Sequence, residues 1–422
     1  FNYGDAGYQA FKKSTENRAA TVYVGSNDGM LHAFDAETLE ERWAYIPSAV
    51  IPNLWKLADT SYDAKHTYYV NGDFKLYDIC TAANCTTASA SDWKTVLIGG
   101  LDAGGRSYYA LDVTNPNAPT LMWEIDPNTA GFDNLGYSYS EPIVTKRSGD
   151  KKWVVLFASG YNNIPDNDAF YDTSTFKPTQ TAGLQFRKGD GKGYLYVVDA
   201  KTGANLTGSP IATGVGSISD PSGLGKITAY ILSARLNNET TYVYGGDLLG
   251  NLWRFNIDSS ANSVVHLAQL KDATGTFGTA QPITTRPELG KVKGKKIIYV
   301  GTGKFLEPSD VGTRTQQSLY AIKDTANDAD AGIVVSNPRG IAGFKQQTIS
   351  TSSDPEIRVA TSTAVDLTRD LGWFVDLPDP GERQDVPSQL ISGTLVVPTR
   401  VPTGSACEPS GYGWLNFLDY KT

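Results

Sequence analysis

The residues best spaced for chemistry are acidic. Asp166, Asp168 and Asp172, with Asn167 between the first two, form a D-x-D-x-x-x-D run. Side-chain oxygens at alternating positions can wrap a hard cation, so Ca²⁺ is the cofactor expected of this stretch if it is a site. The run lacks the central glycine that sharpens such loops, and a solvated acidic turn is the competing reading. Cys80 and Cys85 flank four residues, a spacing that permits a small disulfide loop and with it an oxidising compartment. Three free thiols are the alternative, and Cys407 is left odd. Gly301-Thr302-Gly303-Lys304 invites a phosphate-loop reading, but the G-x-x-x-x-G-K-[ST] spacing is absent and no helix follows. Gly104-Gly105-Arg106 likewise has no dinucleotide-binding context. With three histidines, no CxxC and no CxxCH, zinc and haem sites are not expected. No catalytic or cofactor-contacting residue is assigned.

Other acidic residues read as structural. Asp28, Asp112, Asp199 and Asp419 sit at strand ends or turns, where a carboxylate accepts backbone N–H bonds. Arg254 alternates with Trp253 and Phe255 and so faces the other side of its strand. It is expected to pair with a buried carboxylate, Asp247 being one candidate.

The elements that carry these residues are strands. Val22-Tyr23-Val24 is a β-branched and aromatic run, Gly25 to Gly29 is turn chemistry, and Met30–Phe34 and Arg42–Ile46 complete an antiparallel meander. Tyr68 to Asp78 reads as a hairpin around Asn71-Gly72. Variants recur, giving seven units near 22, 68, 96, 154, 242, 298 and 394. Each is an apolar strand, a glycine, a loop, and a strand closing on Asp or Asn. Such repetition implies sheets stacked radially, which hide edges that isolated sheets expose. The expected fold is therefore all-β, a β-propeller of seven blades, with six or eight as the alternatives that the irregular unit spacing leaves open. Residues 1–20 form a polar, irregular lead-in segment and 21–422 the propeller domain of a longer protein. Ala49–Ala58 is at most one short helix. The stretch 161–192 is a long loop and the first candidate for partner contacts. The region from Asp324 to Asp370 holds loops and weak edge strands. Trp43, Trp123, Trp253 and Trp414 recur at similar positions and are expected to pack between blades.

Composition agrees. The 422 residues are 40% hydrophobic and 11% aromatic, with 42 Gly, 23 Tyr and 2 Met, as glycine-rich turns between aromatic strands would give. A net charge of −8 without a basic block argues against nucleic acid as a partner. No run of about 18 apolar residues is present to span a membrane. The chain begins without Met and stops at Asp419-Tyr420-Lys421-Thr422 inside a motif, which reads as a piece of a longer protein, so the missing leader says nothing of compartment.

The G-x-L-x-A-F-D ends resemble quinoprotein-dehydrogenase-like propellers in general. The wording of Val22 to Asp35, VYVGSNDGMLHAFD, resembles something narrower, the C-terminal domain of the PilY/PilC family. Further matches are Gly104–Val113 (GGRSYYALDV), Gly136–Pro142 (GYSYSEP), Gly246–Phe255 (GDLLGNLWRF), Gly301–Phe305 (GTGKF), and Gly372-Trp373 with Gly381-Glu382-Arg383. These blocks run in order from about 21 to 383.

The resemblance implies a type IV pilus biogenesis factor that supports pilus assembly, opposes retraction, and contributes to adhesion and twitching motility. It implies minor pilins of the pilus tip complex as partners, with host surface receptors in some members, and a place in the bacterial cell envelope: periplasm in transit, then pilus tip or outer membrane. It also implies calcium in a D-x-[DN]-x-D-G-x-x-D loop directly before the block at Tyr242. Here that loop reads Ala234-Arg235-Leu236-Asn237-Asn238-Glu239-Thr240-Thr241, with only Asn237, Asn238 and Glu239 able to ligate. The rival readings are a quinone-dependent dehydrogenase and an envelope scaffold propeller unrelated to pili. The first is disfavoured because such enzymes resemble this chain in repeats but carry adjacent paired cysteines and a calcium–carboxylate centre.

Overall fold

The computed structural model describes residues 1–165, 189–258, 263–274, 278–325, 337–404 and 408–421. The described residues are built almost wholly from antiparallel strands. They contain one α-helix, Tyr8–Ser14, and short 3₁₀ turns, the longest at Ser48–Ala58. Pro52 inside that segment has no N–H to give an α-helical ladder. The chain forms two units, one of Phe1–Gly223, Ile231–Tyr242 and Ile257–Ser263, the other of Leu224–Tyr230, Val243–Asn256 and Val264–Thr422.

In the first unit, strands Thr21–Gly25, Leu31–Asp35 and Glu41–Tyr45 make the expected meander. Phe74–Cys80, Trp93–Gly100, Tyr108–Asp112 and Thr120–Ile125 make a four-stranded sheet. A third sheet is ordered Ile211–Ala212, Tyr194–Asp199, Trp153–Ala158, Ile143–Arg147, Glu239–Thr240, the last pair parallel. In the second unit, Ile227–Ala229, Tyr242–Gly246, Asn251–Asn256 and Ser263–Gln269 form one sheet. Glu288–Val292, Lys295–Gly301, Ser318–Lys323, Gly372–Asp376 and Phe344–Gln347 form the next. Gln389–Ile391, Thr394–Gly404 and Pro409–Asp419 form the last, and a ribbon of Ile349–Thr351 with Arg358–Ala360 lies in the region expected to hold loops and weak edge strands.

Two expectations are corrected. The Tyr68–Asp78 stretch is not a hairpin of its own. Tyr69 and Val70 are drawn to the first meander, their N–H groups donating to Asn27 Oδ1 at 3.1 Å and the Ser26 carbonyl at 3.3 Å. The strand therefore starts only at Phe74 and pairs with Trp93–Gly100, so the units near 68 and 96 share one sheet. The lead-in is also not irregular. Tyr8 and Phe11, three apart on the helix, are buried together with Tyr3. Tyr8 lies 4.8 Å from Trp93 and Tyr3 lies 5.3 Å from Trp153, ring to ring. The Trp93 indole donates to the Ala6 carbonyl at 2.8 Å. Residues 1–14 thus complete the core of the first unit.

One cross-strand pair recurs. Ala33 faces Trp43, Ala110 faces Trp123, and Ala321 faces Trp373. A small residue opposite a large one lets the indole lie across the sheet without overpacking. In the first two sheets a bulge directly follows the alanine, at Ala33/Phe34 and Ala110/Leu111. The closing aspartates stay in the ladder, Asp35 opposite Thr21 and Asp112 opposite Val96, at the strand end where each turn begins.

Candidate functional site

The four strand-end aspartates serve their turns. Asp28 accepts from Met30 N at 3.0 Å, Asp112 from Thr114 N at 2.9 Å, Asp199 from Lys201 N and Thr202 N at 3.0 Å, and Asp419 from Lys421 N at 2.9 Å. His32 bridges two carboxylates beside the first turn, with Nε2 2.9 Å from Asp28 and Nδ1 3.2 Å from Glu41. Partial burial opposes its charging, but the hydrogen bonds and charges of Asp28 and Glu41 prevail and raise its pKa.

The motif blocks converge in pairs. In the first unit, Ser138 of GYSYSEP donates through N and Oγ to the Gly105 carbonyl, at 3.1 and 3.0 Å, and its Oγ accepts from Leu101 N at 2.8 Å. The Arg106 guanidinium lies 5.3 Å over the Tyr137 ring. In the second unit, GTGKF meets the stretch after Gly381. The buried Arg383 guanidinium donates to the carbonyls of Lys304, Asp310 and Thr313 at 2.7–2.8 Å. Gly303, at φ +145°, would place a Cβ 2.4 Å from Arg383 Cβ, which is why glycine stands there. Lys304 is held by Glu307 at 3.2 Å and Asp310 at 3.4 Å. Burial pulls its pKa down, yet Asp310 and Glu307 raise it overall. It is an ion-pair lysine in a loop and holds no phosphate geometry.

The Arg254 pairing is corrected. Its partner is Asp324, at 3.3 Å with both side chains buried, and Tyr244 Oη donates to the same carboxylate at 2.7 Å. Asp247 instead accepts from Leu249 N, Asn251 N and Trp253 Nε1 at 2.8–3.0 Å. It closes its own turn because its donors lie two to six residues downstream.

A larger charged network was not visible in the sequence. Arg358 donates to both oxygens of fully buried Glu382, at 2.8 and 3.0 Å, and to Asp379 at 2.5 Å. Thr399 Oγ1 donates to Glu382 at 2.6 Å, and Trp414 Nε1 to Asp379 at 3.0 Å. In the first unit, Lys146 and Asp5 were missed in the same way. The one available signal was a Lys-Arg pair ending the apolar run Ile143-Val144-Thr145.

The structure joins Cys80 to Cys85, with Cα atoms 6.0 Å apart. Their loop forms one rim of a cleft of about 770 Å³, which Lys146, Lys201, Asp199 and Glu239 also line. Asp166, Asp168 and Asp172 lie outside the described residues, as does Cys407. Among the described residues no group of three or more His, Cys, Asp or Glu is placed to hold a metal ion. The loop before Tyr242 does not fit calcium. Asn238, buried at φ +49°, donates its amide to the Val144 carbonyl at 3.0 Å. Glu239 faces Lys151 at 2.7 Å and Lys146 at 3.7 Å. Two ammonium groups on the one carboxylate of the loop repel a cation. The arrangement joins segments that are far apart in the chain within each unit.

Comparison with known proteins gives the same family from three directions. The sequence model of the PilY1 beta-propeller domain matches residues 3–361. A type IV pilus biogenesis factor PilY1 homolog of Xylella fastidiosa is 32% identical over 98% of this chain and 30% of its own length. The type IV pilus biogenesis factor PilY1 of Pseudomonas aeruginosa is 31% identical over 98% of this chain and 36% of its own. The chain thus spans about a third of the length of these curated relatives. The crystal structure of the Pseudomonas aeruginosa PilY1 C-terminal domain superposes with a TM-score of 0.69 at 27% identity, covering 98% of this chain and 82% of that one. The chain therefore belongs to the PilY1 β-propeller domain family.

Proposed function

We propose that this chain is the propeller portion of a type IV pilus biogenesis factor. It acts by binding and not by catalysis, presenting loops on rigid sheets to pilus partners, namely minor pilins of the tip complex and, on the cell surface, host receptors. In that role it supports pilus extension, opposes retraction and contributes to adhesion and twitching motility from the bacterial envelope. The observation that carries this reading is the family match over residues 3–361, joined to relatives named for pilus biogenesis. The internal pairing of Arg383, Glu382, Asp247 and Arg254 supports it, since the charged residues of the matched blocks stabilise joints. A fixed scaffold loses little entropy when its loops dock.

The test is a deletion of the gene followed by complementation. Surface piliation and twitching are expected to fall, to return with the full-length protein, and to stay low when residues 21–422 are removed from it. Normal piliation with the propeller missing contradicts the proposal.

A further inference from the structure

Lys146 carries its charge into the interior of the first unit. Its side chain is 4% exposed, and its Nζ lies 2.7 and 3.0 Å from the two carboxylate oxygens of Asp5. Glu239 is 3.7 Å away, and the Trp153 ring centroid 5.6 Å. These groups come from stretches far apart in the chain: the lead-in, the strand Ile143–Arg147, and the loop that ends in Glu239–Thr240. The backbone follows the same junction. Lys146 N and Thr145 Oγ1 both donate to the Asn238 carbonyl at 2.8 Å, and Asn2 N donates to the Arg235 carbonyl at 2.8 Å. Asp150, also on the cleft wall, is turned to Arg147 at 3.1 Å. An ammonium taken out of water is tolerated only where carboxylates and an aromatic face replace its hydration. Two carboxylates from separate segments around one buried cation is the arrangement a bound metal would also produce.

We propose that the Lys146 ammonium is the resident cation of this junction. It ties Asp5 and Glu239, and so the lead-in segment and the 233–241 loop, to the third sheet without a divalent ion. Calcium therefore neither binds nor stabilises the chain at the loop before Tyr242, unlike what the family resemblance implies for that position. Removing the ammonium leaves the Asp5 carboxylate without its cation, while Glu239 keeps Lys151 at 2.7 Å.

The experiment is thermal unfolding of the intact protein in chelator and in millimolar Ca²⁺. Asp166, Asp168 and Asp172 are replaced by alanine throughout, so that the acidic run contributes nothing. With Lys146 present, the melting temperature is expected to be the same in both buffers and calorimetry to register no heat of calcium binding. Lys146→Asn is expected to melt several degrees lower than the parent in both buffers. Glu239→Gln, which keeps the fold if Lys146→Asn does not, is expected to melt lower in both buffers alike. A calcium-dependent rise in the Lys146 protein that Glu239→Gln abolishes overturns the proposal. So does a Lys146→Asn protein that melts with the parent in chelator.

Discussion

The indole Nε1 of Trp123 donates to the carbonyl of Ala200 at 3.0 Å, linking the second sheet of the first unit to the turn that closes a strand of the third. Trp43 repeats the contact on the Pro116 carbonyl at 2.9 Å, from the first sheet to the second. The repeat thus carries its own connector: the tryptophan of one sheet reaches the turn beyond the closing aspartate of the next. Trp123→Phe keeps most of the buried ring and leaves the Ala200 carbonyl without its donor. Urea unfolding is expected to show a loss of about 1–3 kcal/mol for Trp123→Phe. Trp43→Phe, at a half-buried site, should lose less.

Leu39 and Gly203 hold the same position in two copies of the closing turn, with φ of +60° and +71°. Leu39 N donates to Asp35 O at 2.9 Å and Gly203 N to Asp199 O at 2.8 Å. Leu39 is 70% exposed, so its side chain returns little for the left-handed backbone. Leu39→Gly relieves about 1–2 kcal/mol of steric cost and gives part back to unfolded-state entropy, for an expected net gain of about 0.5–1 kcal/mol in denaturant titration. Gly203→Ala should go the other way, because its Cβ would lie 2.8 Å from the Trp123 ring.

Arg358 is expected to be the most sensitive charged position of the second unit. Its guanidinium lies 3.8 Å from the Trp414 ring centroid and pairs with both Glu382 and Asp379. Arg358→Met leaves Glu382 buried without its cation and is expected to cost about 3–5 kcal/mol. Arg358→Lys should recover only part of this, since a compact ammonium lacks the planar fork that reaches Glu382 through one nitrogen and Asp379 through the other while stacking on the indole. Chemical denaturation of the two variants beside the parent decides it.

His32 gives the first sheet a pH dependence of definite sign. Its folded pKa is raised above the ordinary value of 6.5, so the protonated ring is favoured in the folded state. The added stability is complete below the unfolded value and is lost as pH rises through the folded one. His32→Gln removes it. The melting-temperature gap between parent and variant should be larger at mildly acidic than at mildly alkaline pH, with a stabilisation under about 1 kcal/mol because both carboxylates are partly solvated. A gap that widens toward alkaline pH contradicts the assignment.

What the sequence made legible is what repeats locally. The meander at Val22 and the aspartate turns are encoded within a few residues, by alternation and by Asx chemistry. The Ala33–Trp43 and Ala110–Trp123 pairs follow from the same repeat. The Asn71-Gly72 pair misled because turn propensity is local, while Tyr69 and Val70 are claimed by Ser26 and Asn27 more than forty residues earlier. The stretch holding Tyr3, Tyr8 and Phe11 reads as polar in sum because Lys, Gln and Glu surround them, yet the helix turns Tyr8 and Phe11 inward beside the buried Tyr3. Asp324, not Asp247, pairs with Arg254, and Glu382 pairs with Arg358. Such partners share neither period nor spacing, so only the assembled sheets bring them together.

The measurement that bears most directly on the central claim is the composition of the pilus fraction. Pili sheared from cells making an epitope-tagged full-length protein are cross-linked, purified and analysed by mass spectrometry. The tagged protein is expected to be recovered with the pili and cross-linked to minor pilins through propeller residues. Recovery of pili free of the protein, or cross-links confined to residues outside 21–422, contradicts it.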